Sequence, residues 1–228
     1  MIEQVWQDLP HIQASFLWPV ERGTGIETVR EQLSTPTVAF PEQVHGTRLH
    51  VVQPNDPIEI AGADGLVTTA DRIALAAVGA DCQVLLVVDP FTRIVGVAHA
   101  GWRGILAGIG QQLVETLVSK GADRSRLRLH IGPSVGPCHY VVDQPDTAPR
   151  FAQFQERFGP EAAFERDGER IVDLRVAQRQ TLLASGIHET QLTIDERCTV
   201  CASEHFPSHR REGKSRHENL VGCIMIAL

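Results

Sequence analysis

Two hydrophobic segments separated by a short turn are the most constraining feature of this sequence, and both lie within residues 80–109. Val84 to Val88 is a continuous apolar run that stops at Asp89-Pro90, and Ile94 to Ala98 is a second run that stops at His99. Continuous apolar runs of this length, bounded by turn residues, are typical of buried strands. We therefore predict two neighbouring buried strands, around which the rest of the chain is organised.

Cys82 precedes the first predicted strand and His99 ends the second. If the two strands pair as an antiparallel hairpin, the start of the first lies beside the end of the second. A thiol and an imidazole then become neighbours at one edge of the hairpin. This juxtaposition indicates either a metal site or a Cys/His nucleophile pair.

A turn that contains Gly101 and Gly104 follows the second strand and leads into a predicted helix. The two glycines permit a tight turn and a close approach of another molecule to the backbone. Beyond these glycines, an apolar residue recurs at every fourth position and forms one stripe of a helix. The stripe consists of Ile105, Ile109, Leu113 and Leu117, and Lys120-Gly121 is a signal for the end of the helix. Unpaired amides at the start of this helix, together with Arg103, would attract a phosphate or another anion.

The composition and the net charge indicate a globular protein and disfavour several kinds of partner. The chain has 228 residues, of which 43% are hydrophobic and 21% charged, as in ordinary globular proteins, and we predict one α/β domain over residues 1–228. A net charge of −7 argues against nucleic-acid and anionic-membrane partners, because both require a basic face. We expect no secretory signal and no membrane span. Five cysteines in such a chain indicate free thiols in a reducing cytoplasm.

Further elements follow from hydrophobic periodicity and from turn signals. Strands are predicted at residues 12–19, 37–40, 48–52, 66–69, 73–78, 127–131, 189–194 and 221–228, and helices at residues 25–33, 146–158 and 173–185. No repeat or linker divides the chain.

Several polar residues outside the central hairpin have two readings. His45 lies in a turn and Asp64 in an Asp-Gly turn, where ordinary hydrogen bonding is the commoner role. Cys198 and Cys201 match a zinc knuckle or a redox motif, but no second such pair is present in the sequence, and we favour ordinary packing. The basic segment 205–217 is either a solvated loop or an arginine clamp for an anion.

Motifs distributed over nearly the whole chain resemble the YfiH-type family. That family was long labelled polyphenol oxidases or laccase-domain proteins and is now described as purine nucleoside phosphorylases. The motifs are Gln43-Val44-His45-Gly46, Ala63 to Thr68, Ala80-Asp81-Cys82, His99 to Gly104, Ile131-Gly132-Pro133, Gly136 to Tyr140, Cys198-Thr199 and Ser208 to Arg211. The sequence differs from the family near its end, where Phe206-Pro207-Ser208-His209 replaces the commoner Phe-Phe-Ser-Tyr.

The resemblance implies a fold and a metal site. The fold is a single α/β domain in which mixed sheets are layered between helices, in the order α/β/β/α. The metal is zinc, with copper as the alternative, and its ligands are His45, Cys82 and His99. Two imidazoles and one thiolate leave the fourth position open, as in catalytic zinc sites.

The resemblance also implies an activity. It is phosphorolysis of adenosine, inosine, guanosine and methylthioadenosine, together with adenosine deamination, in a monomer or a homodimer whose partners are a nucleoside and phosphate. Asp64 and Cys138 are then expected near the metal as catalytic groups. The residues expected to bind substrate or phosphate are Gln43, Arg48, Arg103 and Arg210.

Other functions remain open on the sequence. A multicopper phenol oxidase is disfavoured because none of the ten histidines forms a His-x-His pair. A metal-free hydrolase with Cys82 as nucleophile and His99 or His45 as base uses the same residues. An amidase that edits peptidoglycan precursors would use the same site on a different substrate. A non-enzymatic metal-binding protein would instead have a closed site with four protein ligands and no pocket.

Overall fold

The computed structural model describes residues 1–202 and 206–227, which form two mixed sheets, a separate hairpin and flanking helices. The strands are β1 (Ile2–Val5), β2 (Ile12–Glu21), β3 (Thr37–Pro41), β4 (Leu49–Val51), β5 (Glu59–Ile60), β6 (Gly65–Thr68), β7 (Ile73–Gly79), β8 (Gln83–Asp89), β9 (Ile94–Ala100), β10 (Arg128–Ile131), β11 (Ala163–Arg166), β12 (Glu169–Val172), β13 (Leu192–Ile194) and β14 (Glu218–Ile226). The helices are α1 (Gly25–Leu33), α2 (Trp102–Leu106), α3 (Ile109–Ser119), α4 (Ala148–Phe158), α5 (Leu174–Ala184) and α6 (His209–Glu212).

The predicted central hairpin is confirmed. Strands β8 and β9 pair antiparallel, with Val84 opposite His99 and Gln83 opposite Ala100, and every residue of both strands is buried. The register places Cys82 immediately beside the end of β9. These strands lie at the centre of a sheet whose order is β13-β10-β8-β9-β6-β4.

The second sheet has the order β1-β2-β14-β7-β3-β5 and packs face to face on the first. Side chains from the two sheets form one apolar core between them, which includes Phe16, Leu75, Leu86, Val97 and Ile224. Alternate residues of each strand point to the opposite face, as the pleat of a strand requires.

Helices cover the two outer faces of this sandwich. Leu85 and Val87, which alternate with the inter-sheet residues of β8, pack with the apolar stripe of α3. On the other side, Val29 and Leu33 of α1 pack against the second sheet. The predicted order of helix, sheet, sheet and helix is therefore confirmed.

The helix predicted after the Gly101 turn is interrupted. Its four stripe residues are fully buried as predicted, but α2 ends at Leu106 and α3 begins at Ile109. Gly108 separates them with a φ of 84°, a left-handed conformation that glycine adopts without steric cost. The break frees α2 to follow the end of β9, while α3 packs along the sheet.

Other differences concern short or polar segments. The segment 189–194 was predicted to be entirely a strand, but Glu189–Gln191 forms a 3-10 turn and only Leu192–Ile194 is extended. Strands β1, β5, β11 and β12 were missed, although Asp167-Gly168 between β11 and β12 is a recognisable two-residue hairpin turn. The final strand begins earlier than predicted, and Leu228 lies outside the described residues.

Within residues 1–202 and 206–227, no helix has the length and apolar character needed to cross a bilayer.

Asp89 connects the central hairpin to the helical layer. Its carboxylate is fully buried and accepts hydrogen bonds from the amides of Phe91 at 2.9 Å and of Asp123 at 2.9 Å. Burial acts to raise the pKa of Asp89, but the hydrogen bonds from these amides outweigh it and hold the pKa below its ordinary value.

We expect Asp89→Ala to lower the free energy of unfolding by about 2–4 kcal/mol, because buried amides lose a charged acceptor. Asp71→Ala, which removes an exposed ion pair with Arg93, is the matched control and should cost less than about 1 kcal/mol. Denaturant unfolding measures both. The difference between wild type and Asp89→Ala should shrink as the pH falls through the lowered pKa of Asp89, because protonation removes the stabilisation that the ionised carboxylate provides. Equal losses for the two variants would contradict this role.

Candidate metal centre

Three side chains from separate segments meet beside the end of the central hairpin. His45, Cys82 and His99 offer ligand atoms that all lie within 4.8 Å of one another. The rings of His45 and His99 are perpendicular, with centroids 4.8 Å apart. The predicted proximity of Cys82 and His99 is thus present in the structure, and His45 joins them from a loop that the hairpin argument did not reach.

The loop that carries His45 is held in an unusual conformation. Gln43 and His45 both have a φ of 64°, which non-glycine residues seldom adopt. The side-chain amide of Gln43 makes two hydrogen bonds with the backbone of Val78, at 2.9 and 2.8 Å. Gln43 therefore fixes the turn that presents His45, and it also lines the cavity described below.

Asp64 holds two of the three candidate ligands in place. Its carboxylate is fully buried and accepts hydrogen bonds from the amides of His45 at 2.8 Å and of Gly46 at 2.6 Å. The Nδ1 atom of His99 lies 3.1 Å from the same carboxylate. Because Nδ1 donates to Asp64, Nε2 is the nitrogen that can bind a metal ion once it loses its proton. Asp64 is therefore a positioning residue rather than a group that lines the cavity.

The protonation of the cluster suits a cation. Burial acts to raise the pKa of the Cys82 thiol, but hydrogen bonds with the imidazoles of His45 and His99 lower it to about 7. Burial acts to lower the pKa of His99, but hydrogen bonds with Asp64 and Cys82 raise it to about 9. A metal ion requires a thiolate and a neutral imidazole, so it would take the place of the proton that these groups share.

Gly101 leaves space for the three ligands. A Cβ at this position would lie 3.0 Å from Cδ2 of His45, 3.2 Å from Sγ of Cys82 and 3.6 Å from Cε1 of His99. The atoms that approach this glycine closely are therefore those of the three candidate ligands. The donor set and this cradle both fit a metal ion.

The cluster opens into a cavity of about 590 Å³. Four guanidinium-bearing residues line it, together with the aromatic rings of Trp102 and Tyr140; they are Arg103, Arg150, Arg210 and Arg216. Arg103 and Arg150 each stack on Trp102, at 4.3 and 4.5 Å from the ring centroid. A strongly cationic cavity is thus embedded in an acidic chain.

Asp81 attaches the C-terminal segment to this cavity. One carboxylate oxygen accepts from the hydroxyl of Thr199 at 2.6 Å, and the other accepts from the amide of Arg210 at 2.6 Å. The side chain of Arg210 lies over the ring of Tyr140 and donates to the carbonyl of Val141. The predicted basic segment therefore contributes Arg210 to the cavity; its first residue, His205, lies outside the described residues.

Two predicted site residues lie elsewhere. Arg48 was expected to bind an anion, but it does not line this cavity, and its guanidinium donates to the carbonyl of Ala61 in a neighbouring loop. Cys138 was expected close to the metal, but its sulfur lies 3.2 Å from that of Cys201, in a different cluster. Both side chains differ from the prediction because the paths of their loops, rather than strand register, decide where they lie.

Arg150 lines the cavity although the sequence prediction gave it no role. Arg150 comes from α4, whose predicted range showed no catalytic pattern. It reaches the cavity because its guanidinium donates to the hydroxyl of Tyr140 at 3.2 Å. No signal in the sequence of α4 distinguishes Arg150 from the other arginines.

Taken together, the fold and the cluster define an α/β sandwich protein with a candidate His₂Cys metal site in the wall of a cationic cavity. Residues 24–227 match the model of the family described as multi-copper polyphenol oxidoreductase laccase. The chain belongs to this family, which confirms the resemblance found in the sequence.

Individual relatives carry more specific names. A purine nucleoside phosphorylase, YlmD of Geobacillus stearothermophilus, is 34% identical over 187 residues, which cover 75% of this chain and 66% of the relative. Adenosine deaminase RL5, from an unknown prokaryotic organism, is 31% identical over 194 residues, which cover 81% and 74%. The crystal structure of YlmD from Geobacillus stearothermophilus superimposes with a TM-score of 0.84 at 27% identity and covers 97% of this chain and 94% of that one.

We expect Asp64→Asn to weaken metal binding by about 10–100-fold, the usual cost of losing the partner of a metal-binding histidine. Oδ1 of Asp64 bonds both the amide of His45 and Nδ1 of His99, and Oδ2 accepts from the amide of Gly46. The NH₂ group of asparagine therefore leaves either the amide of Gly46, or the amide of His45 together with Nδ1 of His99, without its acceptor. Asp71→Asn is the matched control at an exposed site. Competition with a chromophoric chelator measures zinc affinity, and equal affinities for the two variants would refute this role.

Proposed function

We propose that this chain is a zinc-dependent purine nucleoside phosphorylase that also deaminates adenosine. The observation that carries the proposal is that the His₂Cys cluster lines a cavity together with arginines and aromatic rings. The names of the relatives support the same two reactions.

His45, Cys82 and His99 would hold the zinc, and the protein leaves one position open to water or substrate. A bound zinc ion supplies a Lewis acid that polarises a bound oxygen and lowers the pKa of water towards neutrality. Asp64 keeps His99 in the tautomer that can bind, and Gly101 keeps the centre free of side-chain atoms.

The cavity has the size and chemistry for a nucleoside. Its volume of about 590 Å³ falls within the range of ordinary small-molecule sites, roughly 300–1,000 Å³. The aromatic rings of Trp102 and Tyr140 offer apolar surfaces for a base or a ribose. The stacked guanidinium of Arg103 offers a paired donor geometry that matches phosphate oxygens.

Phosphorolysis requires phosphate and nucleoside to lie side by side. A phosphate oxygen forms a bond to C1′ of the ribose as the bond from C1′ to the base nitrogen breaks, and the electron pair of that bond leaves with the base, which then takes up a proton. The cationic cavity concentrates phosphate against the overall charge of −7 and holds it for this attack.

A product assay on protein of known metal content tests the proposal. Adenosine, inosine and methylthioadenosine are incubated with and without phosphate. We expect free base only when phosphate is present, and inosine from adenosine even without phosphate. Cys82→Ala should lose bound metal and both reactions together, whereas Cys223→Ala, a buried cysteine of β14 outside the cavity, should retain them. Full turnover by metal-free Cys82→Ala would refute a metal-dependent reaction.

The second candidate is a metal-free hydrolase, such as an amidase acting on peptidoglycan precursors, with Cys82 as the nucleophile. Its supporting observation is that Sγ of Cys82 lies within 4.8 Å of a ring nitrogen of His45 and of His99, whose hydrogen bonds lower the pKa of the thiol to about 7. Intact nucleosides in every reaction, combined with alkylation of Cys82 that blocks amide hydrolysis in metal-free protein, would favour this candidate.

We expect Arg103→Gln to raise the KM for phosphate about tenfold, the effect of losing roughly 1.4 kcal/mol of phosphate binding. Deamination needs no phosphate, so its kcat/KM should change much less. Arg179→Gln, on the exposed side of α5 in an ion pair with Glu189, is the matched control. Equal losses in both reactions would show that Arg103 acts on the nucleoside or the fold instead of on phosphate.

A further inference from the structure

A second cluster of metal-binding side chains lies outside the site described above. The ligand atoms of Cys138, His139, Cys198 and Cys201 all lie within 4.8 Å of one another. None of these residues belongs to the first cluster, and none lines its cavity. Three thiols and one imidazole in such a small volume form a complete set of ligands for a tetrahedral ion.

The distances within this cluster agree with that geometry. A tetrahedral zinc with bonds of about 2.3 Å to sulfur and 2.0–2.1 Å to nitrogen places its ligand atoms about 3.6–3.8 Å apart. Here Sγ of Cys138 lies 3.2 Å from Sγ of Cys201, and Nδ1 of His139 lies 3.3 Å from Sγ of Cys201 and 3.9 Å from Sγ of Cys198. Small rotations of exposed side chains would bring them to ideal spacing around an ion.

The backbone is arranged to bring the two halves of the cluster together. The loop after β10 carries Cys138 and His139, and the loop after β13 carries the Cys-x-x-Cys pair. Ser134 and Cys198 form an isolated parallel bridge, and the amide of Gly136 donates to Sγ of Cys198 at 3.2 Å. A Cβ on Gly136 would lie 3.1 Å from Cβ of Cys198 and 3.4 Å from Sγ of Cys138, so any larger residue would push these two cysteines aside.

We propose that Cys138, His139, Cys198 and Cys201 bind a second zinc ion in a closed, structural site. Three thiolates and one imidazole are a common set of ligands for structural zinc, and soft thiolates select it over hard cations such as magnesium. The pattern differs from the first cluster, where three ligands leave one position open. The sequence alone favours packing for Cys198 and Cys201, because their partners, the adjacent Cys138 and His139, do not form a second Cys-x-x-Cys motif.

The second site would support the first one mechanically. The loop after β10 donates the amide of Val135 to the carbonyl of Asp81 at 3.1 Å, and the loop after β13 donates the hydroxyl of Thr199 to the carboxylate of Asp81. Asp81 is the neighbour of Cys82 in the chain. An ion that joins the two loops would therefore hold in place the segment that carries Cys82. The proposal of a second ion does not depend on which reaction the first site catalyses.

Zinc counts on the full chain, purified under reducing conditions and freed of loosely bound metal, test the proposal. We expect about two zinc ions per chain in the wild type and about one in Cys201→Ser, Cys138→Ser or Cys82→Ala. The double variant Cys82→Ala with Cys201→Ser should bind none, and Cys223→Ala is the cysteine control that should retain both ions. Cys201→Ser should also unfold at a lower temperature than Cys223→Ala.

Cobalt substitution distinguishes the two sites even if one variant is unstable. Cobalt bound by Cys82→Ala should show strong absorption from thiolate-to-metal charge transfer, because three thiolates surround it. Cobalt bound by Cys138→Ser, which retains the first cluster with a single thiolate, should show a much weaker band.

Two results would overturn the proposal. The first is a wild-type zinc count of about one that Cys82→Ala abolishes and Cys201→Ser leaves unchanged. The second is a disulfide between Cys138 and Cys201, detected by mass as the loss of two hydrogens in reduced-buffer preparations, because a disulfide consumes two of the four ligands.

Discussion

The buried carboxylate of Asp64 is the interaction on which the site depends. An ionised carboxylate without solvent must be fully hydrogen-bonded, and here the amides of His45 and Gly46 and the ring of His99 supply the donors. The same bonds that satisfy this charge draw a loop against the end of a central strand. Burial of one charge thus sets both the position and the tautomer of groups that come from distant parts of the chain.

The layered architecture explains why the site lies where it does. Strands β8 and β9 are buried on both faces, so no functional group can reach solvent from their middle. Only the ends of these strands, where loops converge, leave room for a cavity. The helix break at Gly108 also leaves room for the cavity, because α2 can then stay beside the cavity while α3 covers the sheet.

Local patterns predicted the features that depend on strand register and failed for those that depend on loop paths. Continuous apolar runs identified the hairpin, and its register placed Cys82 beside His99. No periodicity relates His45 to these residues, so its place came only from the family resemblance. Cys138 and Cys201 are separated by 63 residues, and nothing local shows that their loops meet. Arg48 was misplaced for the same reason, since its direction follows the loop at Ala61.

The space that Gly101 leaves has a consequence for substitution. The backbone there has an ordinary negative φ, so an alanine would adopt the chain's conformation without strain and would crowd only the side chains of His45, Cys82 and His99. The constraint for glycine at this position therefore comes from the three candidate ligands and not from the backbone, so it exists only as long as those ligands are kept.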